Sequence, residues 1–163
     1  MLNAPAMSKS TALFTPEVLT LLIRAGWYEG RQAQGQFAVP SDVHYPAHIA
    51  QLLQEFGGLL IKSTGAGLTL ARNSILFDPS YAERESSEQG ILTYYAGFLQ
   101  HPLYPLGHIP QESLLLCIDW TGTMYMAGDY LYRVGSSFAE GVSNILLGVK
   151  GEEFNERTLR WGD

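Results

Sequence analysis

The segment Gln54-Glu55-Phe56-Gly57-Gly58-Leu59-Leu60-Ile61 leaves this chain few ways to fold. An apolar helical stripe runs into two consecutive glycines, and an apolar strand-like run starts immediately beyond them. Glycine ends a helix in the left-handed region without a Cβ clash, and two together let the backbone turn and approach its neighbours closely. Helix, turn and strand within eight residues set the angle at which a helical layer meets a sheet.

The flanking sequence supplies both layers. Ile49, Leu52, Leu53 and Phe56 recur at spacings of three, one and three, the stripe of a helix lying on a core, and this helix starts near Tyr45-Pro46. An earlier helix opens at Thr15-Pro16-Glu17, where threonine can cap, proline suits the first turn and glutamate meets the positive helix end. Its apolar face is assigned to Val18, Leu19, Leu21, Leu22 and Ile23, with Gly26 as its stop. Residues 30–41 read as loop with a short strand at 36–39. Strands are expected at 59–62 and 68–71, joined by a glycine-containing turn, and again at 74–77. Asp78-Pro79 opens a helix running to about Leu99, although Gly90 and Gly97 interrupt it.

From His101 the pattern becomes a meander of short strands at 104–109, 114–118, 123–126 and 130–134. Asp119-Trp120-Thr121-Gly122 suits a hairpin turn. Ser137 and Glu140 match a capping box for a last helix, with Val142, Ile145, Leu146 and Leu147 inward and Gly148 as stop. This order predicts one α+β domain with a mainly antiparallel sheet packed with helices. The expected organisation is a tail at 1–13, the domain at 14–150 and a charged C-terminal tail at 151–163 anchored by Phe154, Leu159 and Trp161.

Composition narrows the function classes. The 163 residues are 46% hydrophobic, which suits a single globular core and argues against global disorder. The longest apolar runs, 114–118 and 21–23, are far shorter than the ~20 residues of a membrane span. The first ten residues hold one lysine and no apolar core, unlike a secretory signal. Cys117 is the sole cysteine and sits in an apolar run, which excludes an internal disulfide and a cysteine zinc site. A buried thiol suits a reducing compartment, and a cytoplasmic location is expected.

Charge is divided unevenly. Residues 1–78 hold five basic and five acidic groups, whereas 79–163 hold five basic and eleven acidic, the whole net charge of −6. An acidic half argues against nucleic-acid binding, which needs Lys and Arg to displace counterions, and suits a basic protein partner. An ordinary acidic, solvated surface is the simpler reading of the same charges.

No constellation demands catalysis. His44 and His48 are four apart, but the spacing crosses Pro46 and lacks the glutamate of a metalloprotease motif, so both read as surface histidines. His101 and His108 flank a proline-rich loop. No Gly-x-Ser-x-Gly elbow is present, and Ser136-Ser137 reads as a helix cap. Gly65 and Gly67 suit a turn rather than a dinucleotide fingerprint, and Glu83, Glu85 and Glu88 suit a solvated helix face. The expectation is a protein that is not an enzyme and needs neither cofactor nor metal.

Five landmarks carry a family resemblance. Ile23-Arg24-Ala25-Gly26-Trp27-Tyr28-Glu29-Gly30-Arg31 is similar to the opening of the third family of the SUKH superfamily. Tyr45-Pro46-Ala47 with Leu52-Leu53-Gln54-Glu55-Phe56-Gly57-Gly58-Leu59 resembles that family's helix and Phe-Gly-Gly-Leu junction. Phe77-Asp78-Pro79, Leu103-Tyr104-Pro105-Leu106-Gly107 and Gly135-Ser136-Ser137-Phe138-x-Glu140 resemble its later landmarks, and the likeness spans residues 19–148. Three positions depart from the pattern: His108 stands where an acid is expected, His101 where glycine is common, and Gly141 where alanine is usual.

The resemblance implies an α+β domain and a role as a bacterial immunity protein that binds and neutralises a cognate polymorphic toxin. Toxins linked to this superfamily include nucleases and nucleic-acid deaminases, whose substrate clefts are basic. An acidic inhibitor would occlude such a site by mimicking phosphate charge, with aromatic anchors ringed by acids. Placement in the meander and its turns picks Glu112, Asp119, Trp120, Asp129, Tyr130 and Tyr132 as partner-binding residues. Two other readings stand beside it: a non-catalytic adaptor or regulatory module on the same fold, and a metal-dependent or acid–base enzyme that gathers His44, His48 or acids in a pocket.

Overall fold

The computed structural model describes residues 13–162. Of the N-terminal tail expected from sequence, residues 1–12 lie outside that range. Thr15 caps α1 (Pro16–Arg24) by accepting from the Val18 amide, and the helix buries Val18 and Leu22. Its neighbour Ile23, assigned to the same apolar face, points outward and is exposed. Helix α2 (Ala47–Phe56) buries Ile49, Leu53 and Phe56, as its spacing predicts. It passes through Gly57 and Gly58 into β1 (Leu60–Ile61), which pairs antiparallel with β2 (Ile75–Leu76).

Asp78 caps α3 (Pro79–Gln89) through the Tyr81 amide. The single helix expected to Leu99 is two: Gly90 takes φ 69°, ends α3 and starts α4 (Ile91–Leu99). Only glycine adopts this left-handed conformation without steric cost, and there it breaks the helix outright. The meander follows as β3 (Tyr104–Ile109), β4 (Leu114–Ile118), β5 (Met124–Ala127) and β6 (Leu131–Gly135). Ser137 caps α5 (Phe138–Leu147), and Gly148 ends it in the left-handed region.

The charged C-terminal stretch does not trail away. It forms β7 (Glu152–Asn155) and β8 (Arg160–Trp161), completing an eight-stranded sheet in which each strand pairs antiparallel with the next in sequence. Arg133 on β6 binds Glu152 at 2.8 Å and lies over the Trp161 ring at 4.7 Å, which ties this edge down.

Alternation along each strand sends neighbouring side chains to opposite faces. Leu116, Ile118, Met124 and Val134 join α1, α2 and α5 in the main core. Cys117, Tyr125, Leu131 and Phe154 face the other way, toward Leu92 and Tyr95 of α4. On that second face Tyr81 of α3 packs on His108 of β3, with ring centroids 4.3 Å apart. The sheet is therefore sandwiched between helical layers, as an α+β domain should be. Cys117 is fully buried, and burial pushes its thiol pKa up, so it behaves as a small apolar filler.

Two expected strands are absent for identifiable reasons. In 68–71 the amides of Leu68, Thr69 and Leu70 donate to the Leu147 and Gly148 carbonyls at the end of α5, instead of to a ladder. Leu68 is accordingly 74% exposed, and the segment contributes only an isolated bridge between Ala66 and Ala71. Residues 36–39 form loop, with Phe37 laid against Gly57.

That contact makes Gly57 a close-approach position: an added Cβ would fall 2.2 Å from the Phe37 ring and 2.4 Å from the Leu53 carbonyl oxygen. Around Gly97, inside α4, nothing lies within 4 Å of such an atom. Urea denaturation should therefore give opposite signs. Gly57→Ala is expected to destabilise by about 1–3 kcal/mol through overpacking, and Gly97→Ala to stabilise by roughly 0.5–1 kcal/mol through helix propensity.

Candidate functional site

The break at Gly90 positions the most distinctive surface of the molecule. Ser86 is buried and its hydroxyl accepts from the Leu92 amide at 3.0 Å, bracing the corner between α3 and α4. The Tyr95 hydroxyl then donates to the Gly128 carbonyl at 3.0 Å, fastening α4 to the β5–β6 turn. Tyr94 donates to Glu156 Oε2 at 2.9 Å, reaching the β7–β8 turn. In an antiparallel meander the β3–β4 and β5–β6 turns emerge at the same end. With α3 and α4 they enclose an open cleft of about 960 Å³.

Its lining is chemically one-sided. Glu85, Glu112, Asp129 and Glu156 contribute carboxylates, and Tyr81, Tyr94, Tyr95, Tyr130 and Tyr132 contribute phenol side chains, with no lysine or arginine among the lining residues. Tyr94 and Tyr130 are 53% and 59% exposed, unusual for rings of that size. His108 also lines the cleft, and burial lowers its pKa against the opposing pull of Asp78 and Glu85, which favours the neutral ring. Burial and then Glu156 push the Tyr95 phenol up from 10.0 to about 12. Burial, with Glu153 next, raises Tyr132, and the bond to Glu156 raises Tyr94. The Tyr94, Tyr95 and Tyr132 phenols are thus held in their neutral form. Such a surface accepts hydrogen bonds from cations and offers ring faces over which they can lie.

Four of the six residues singled out from sequence, Glu112, Asp129, Tyr130 and Tyr132, line this cleft. The other two do not. Asp119 is only 2% exposed: one carboxylate oxygen accepts from the Thr121 amide at 2.8 Å and the Thr123 amide at 3.1 Å, and the other accepts from the Tyr125 hydroxyl at 2.9 Å. Its charge is spent on building the β4–β5 turn, which places Trp120 at the tip, 59% exposed. That turn leaves the opposite end of the sheet, about 20 Å from the β3–β4 turn at the rise of an extended strand. There the Trp120 carbonyl meets His48 Nε2 at 2.8 Å. The six residues therefore do not share one surface.

Of the acids and tyrosines in the lining, sequence reasoning does not pick out Tyr81, Glu85, Tyr94, Tyr95 and Glu156. From sequence Glu85 reads as part of a solvated helix face, and the others reach the cleft only through tertiary packing. The available signal was topological, since alternate turns of a meander converge. His44 and His48 are both exposed, and among the described residues no group of three or more His, Cys, Asp or Glu is placed to hold a metal ion.

The landmark residues prove to be joints. Trp27 Nε1 donates to Glu55 at 3.0 Å, and Arg31 donates to the carbonyls of Glu55 at 2.8 Å and Gly57 at 2.9 Å, closing the end of α2. The Tyr45 hydroxyl donates to the Pro105 carbonyl at 2.6 Å.

Two measurements follow. Asp119→Ala should cost about 2–4 kcal/mol in chemical denaturation, since it strips a turn of charge-assisted hydrogen bonds, whereas Trp120→Ala should stay within about 0.5 kcal/mol. The Tyr95 phenol, raised from 10.0 to about 12, contributes stability that is complete below pH 10.0 and lost as pH rises through about 12. Following unfolding free energy with pH in the wild type and Tyr95→Phe should show that alkaline loss shrinking in the variant.

The model of the SUKH-3 immunity protein family matches residues 14–148. No curated protein and no solved structure matches the chain. The family match covers well over half of the 163 residues and includes every landmark quoted above, so the chain belongs to the SUKH-3 immunity protein family.

Proposed function

We propose that this chain protects a bacterial cell by binding a cognate toxin domain and covering its basic site with the acid-and-tyrosine cleft. Family membership supports toxin immunity in general. The observation that carries the finer reading is the lining itself: four carboxylates and five tyrosines with no lysine or arginine among them. Aromatic side chains at the centre of an interface supply much of its affinity at a low cost in conformational entropy. Carboxylates around them accelerate encounter with a positive partner and select against negative ones. A toxin that acts on nucleic acid must present cations to phosphate, and a carboxylate-lined surface of this kind competes for them. In this reading the chain acts by occlusion in the cytoplasm and performs no chemistry.

Association with the toxin encoded beside it, followed by surface plasmon resonance, should slow as salt is raised. Reversing two cleft charges in the Glu112→Lys, Asp129→Lys variant should weaken binding by about tenfold or more, chiefly through the association rate. Trp120→Ala, at the far end of the sheet, should change affinity less than about twofold. Unchanged affinity in the charge-reversed variant would remove the cleft from the interface.

A further inference from the structure

Resting on that reading, we infer that the cleft recognises an arginine-bearing segment that protrudes from the partner, and that it prefers guanidinium over ammonium. Three features of the cleft support this. The first is shape: a recess of about 960 Å³ framed by two helices and two turns admits an inserted segment, whereas a flat basic patch would meet only its rim.

The second is how the tyrosines are held. The Tyr95 hydroxyl is committed to the Gly128 carbonyl and that of Tyr94 to Glu156, so both rings are fixed by their polar ends. Tyr94 also packs at steep angles, 68° and 81°, against the rings of Tyr95 and Phe98, with centroids 5.2 Å away in each case. A ring fixed in this way and still half exposed loses little freedom when something stacks on it. The planar guanidinium of arginine stacks on aromatic faces better than a compact, strongly hydrated ammonium does.

The third is the carboxylates. Glu156 uses Oε2 for Tyr94, which leaves its other oxygen for a partner. Glu112 and Asp129 stand on the two neighbouring turns. Carboxylate oxygens beside an aromatic wall match the forked donors of arginine, whose planar geometry pairs with carboxylate in a way lysine cannot reproduce. The chain already uses this chemistry within itself, since Arg84 lies over the ring of Tyr81, a lining residue, at 5.7 Å.

The test uses tetra-arginine, tetra-lysine and spermine as probes, titrated into the full chain by calorimetry and by NMR of labelled protein. Tetra-arginine should bind roughly fivefold or more tighter than tetra-lysine and shift resonances of Tyr94, Tyr130 and the Glu112 and Asp129 turns. The preference should disappear in a Glu112→Gln, Asp129→Asn variant, whose fold is checked by its amide spectrum. Tyr130→Phe, which keeps the ring, should retain it. Equal binding of the three probes, or shifts spread over acids outside the cleft, would overturn the inference by reducing it to diffuse charge attraction. The toxin itself, titrated in parallel, separates the two claims. Toxin binding at the cleft without arginine preference ends the inference and leaves the immunity reading. Arginine preference in a chain that binds no toxin sustains the inferred specificity and ends that reading.

Discussion

The ring of Phe56 is the point at which the architecture closes. It stacks on Trp27 at 6.1 Å and meets Phe14, Phe77 and Phe138 at 6.3, 5.7 and 4.8 Å, so segments before α1, after α1, at the end of β2 and at the start of α5 converge on one side chain. Such tilted and edge-on arrangements add attraction beyond the area they bury. The backbone beside the ring is equally constrained. Phe56 is the last residue of α2, and the carbonyls there are all taken: Gln54 and Phe56 accept from the Ala33 and Leu59 amides, and Glu55 and Gly57 from the Arg31 guanidinium. Gly57 then lets Phe37 close over the junction. The helix end, its cap and the aromatic cluster thus form one unit, and the strands that follow take their direction from it.

This arrangement divides the molecule. The face of the sheet turned toward α1, α2 and α5 is occupied by apolar side chains and by the landmark residues that join elements together. The opposite face has a smaller apolar cluster under α4, and beside it α3 presents Glu85 to the cleft. Carboxylates gathered around one recess repel one another, a cost that water and salt moderate at an open surface. Nothing in the packing of the core calls for them there. The separation also places the acid-and-tyrosine cleft on elements outside the Phe56 cluster.

Much of the fold was legible because local chemistry and final structure agree. Thr15, Asp78 and Ser137 cap the helices they were expected to cap, and Gly148 stops α5. The meander strands lie within a residue of their expected bounds. What was not legible depended on distant partners. Residues 68–71 have a strand's composition, but the carbonyls at the end of α5 take their amides first. The charged stretch after Lys150 has a tail's composition, yet Phe154 and Trp161 find a cluster to enter and Arg133 finds Glu152. The site was half legible for the same reason. Turn acids and tyrosines could be recognised as exposed, but Asp119 and Glu112 look alike in sequence. Only the hydrogen bonds from Thr121, Thr123 and Tyr125 show that Asp119 faces inward. The α3 and α4 contributors needed the break at Gly90 and the tyrosine tethers before they could be placed.

The central claim is that one concave, negatively charged end of the sheet is the working surface. Amide hydrogen exchange of the chain alone and with a toxin domain that it binds tests this most directly. The account predicts slowed exchange in the β3–β4 and β5–β6 turns and along the C-terminal part of α3, with the Thr121-Gly122 turn at the opposite end unchanged. Protection centred on that opposite turn and on the start of α2, with the cleft unaffected, would contradict it.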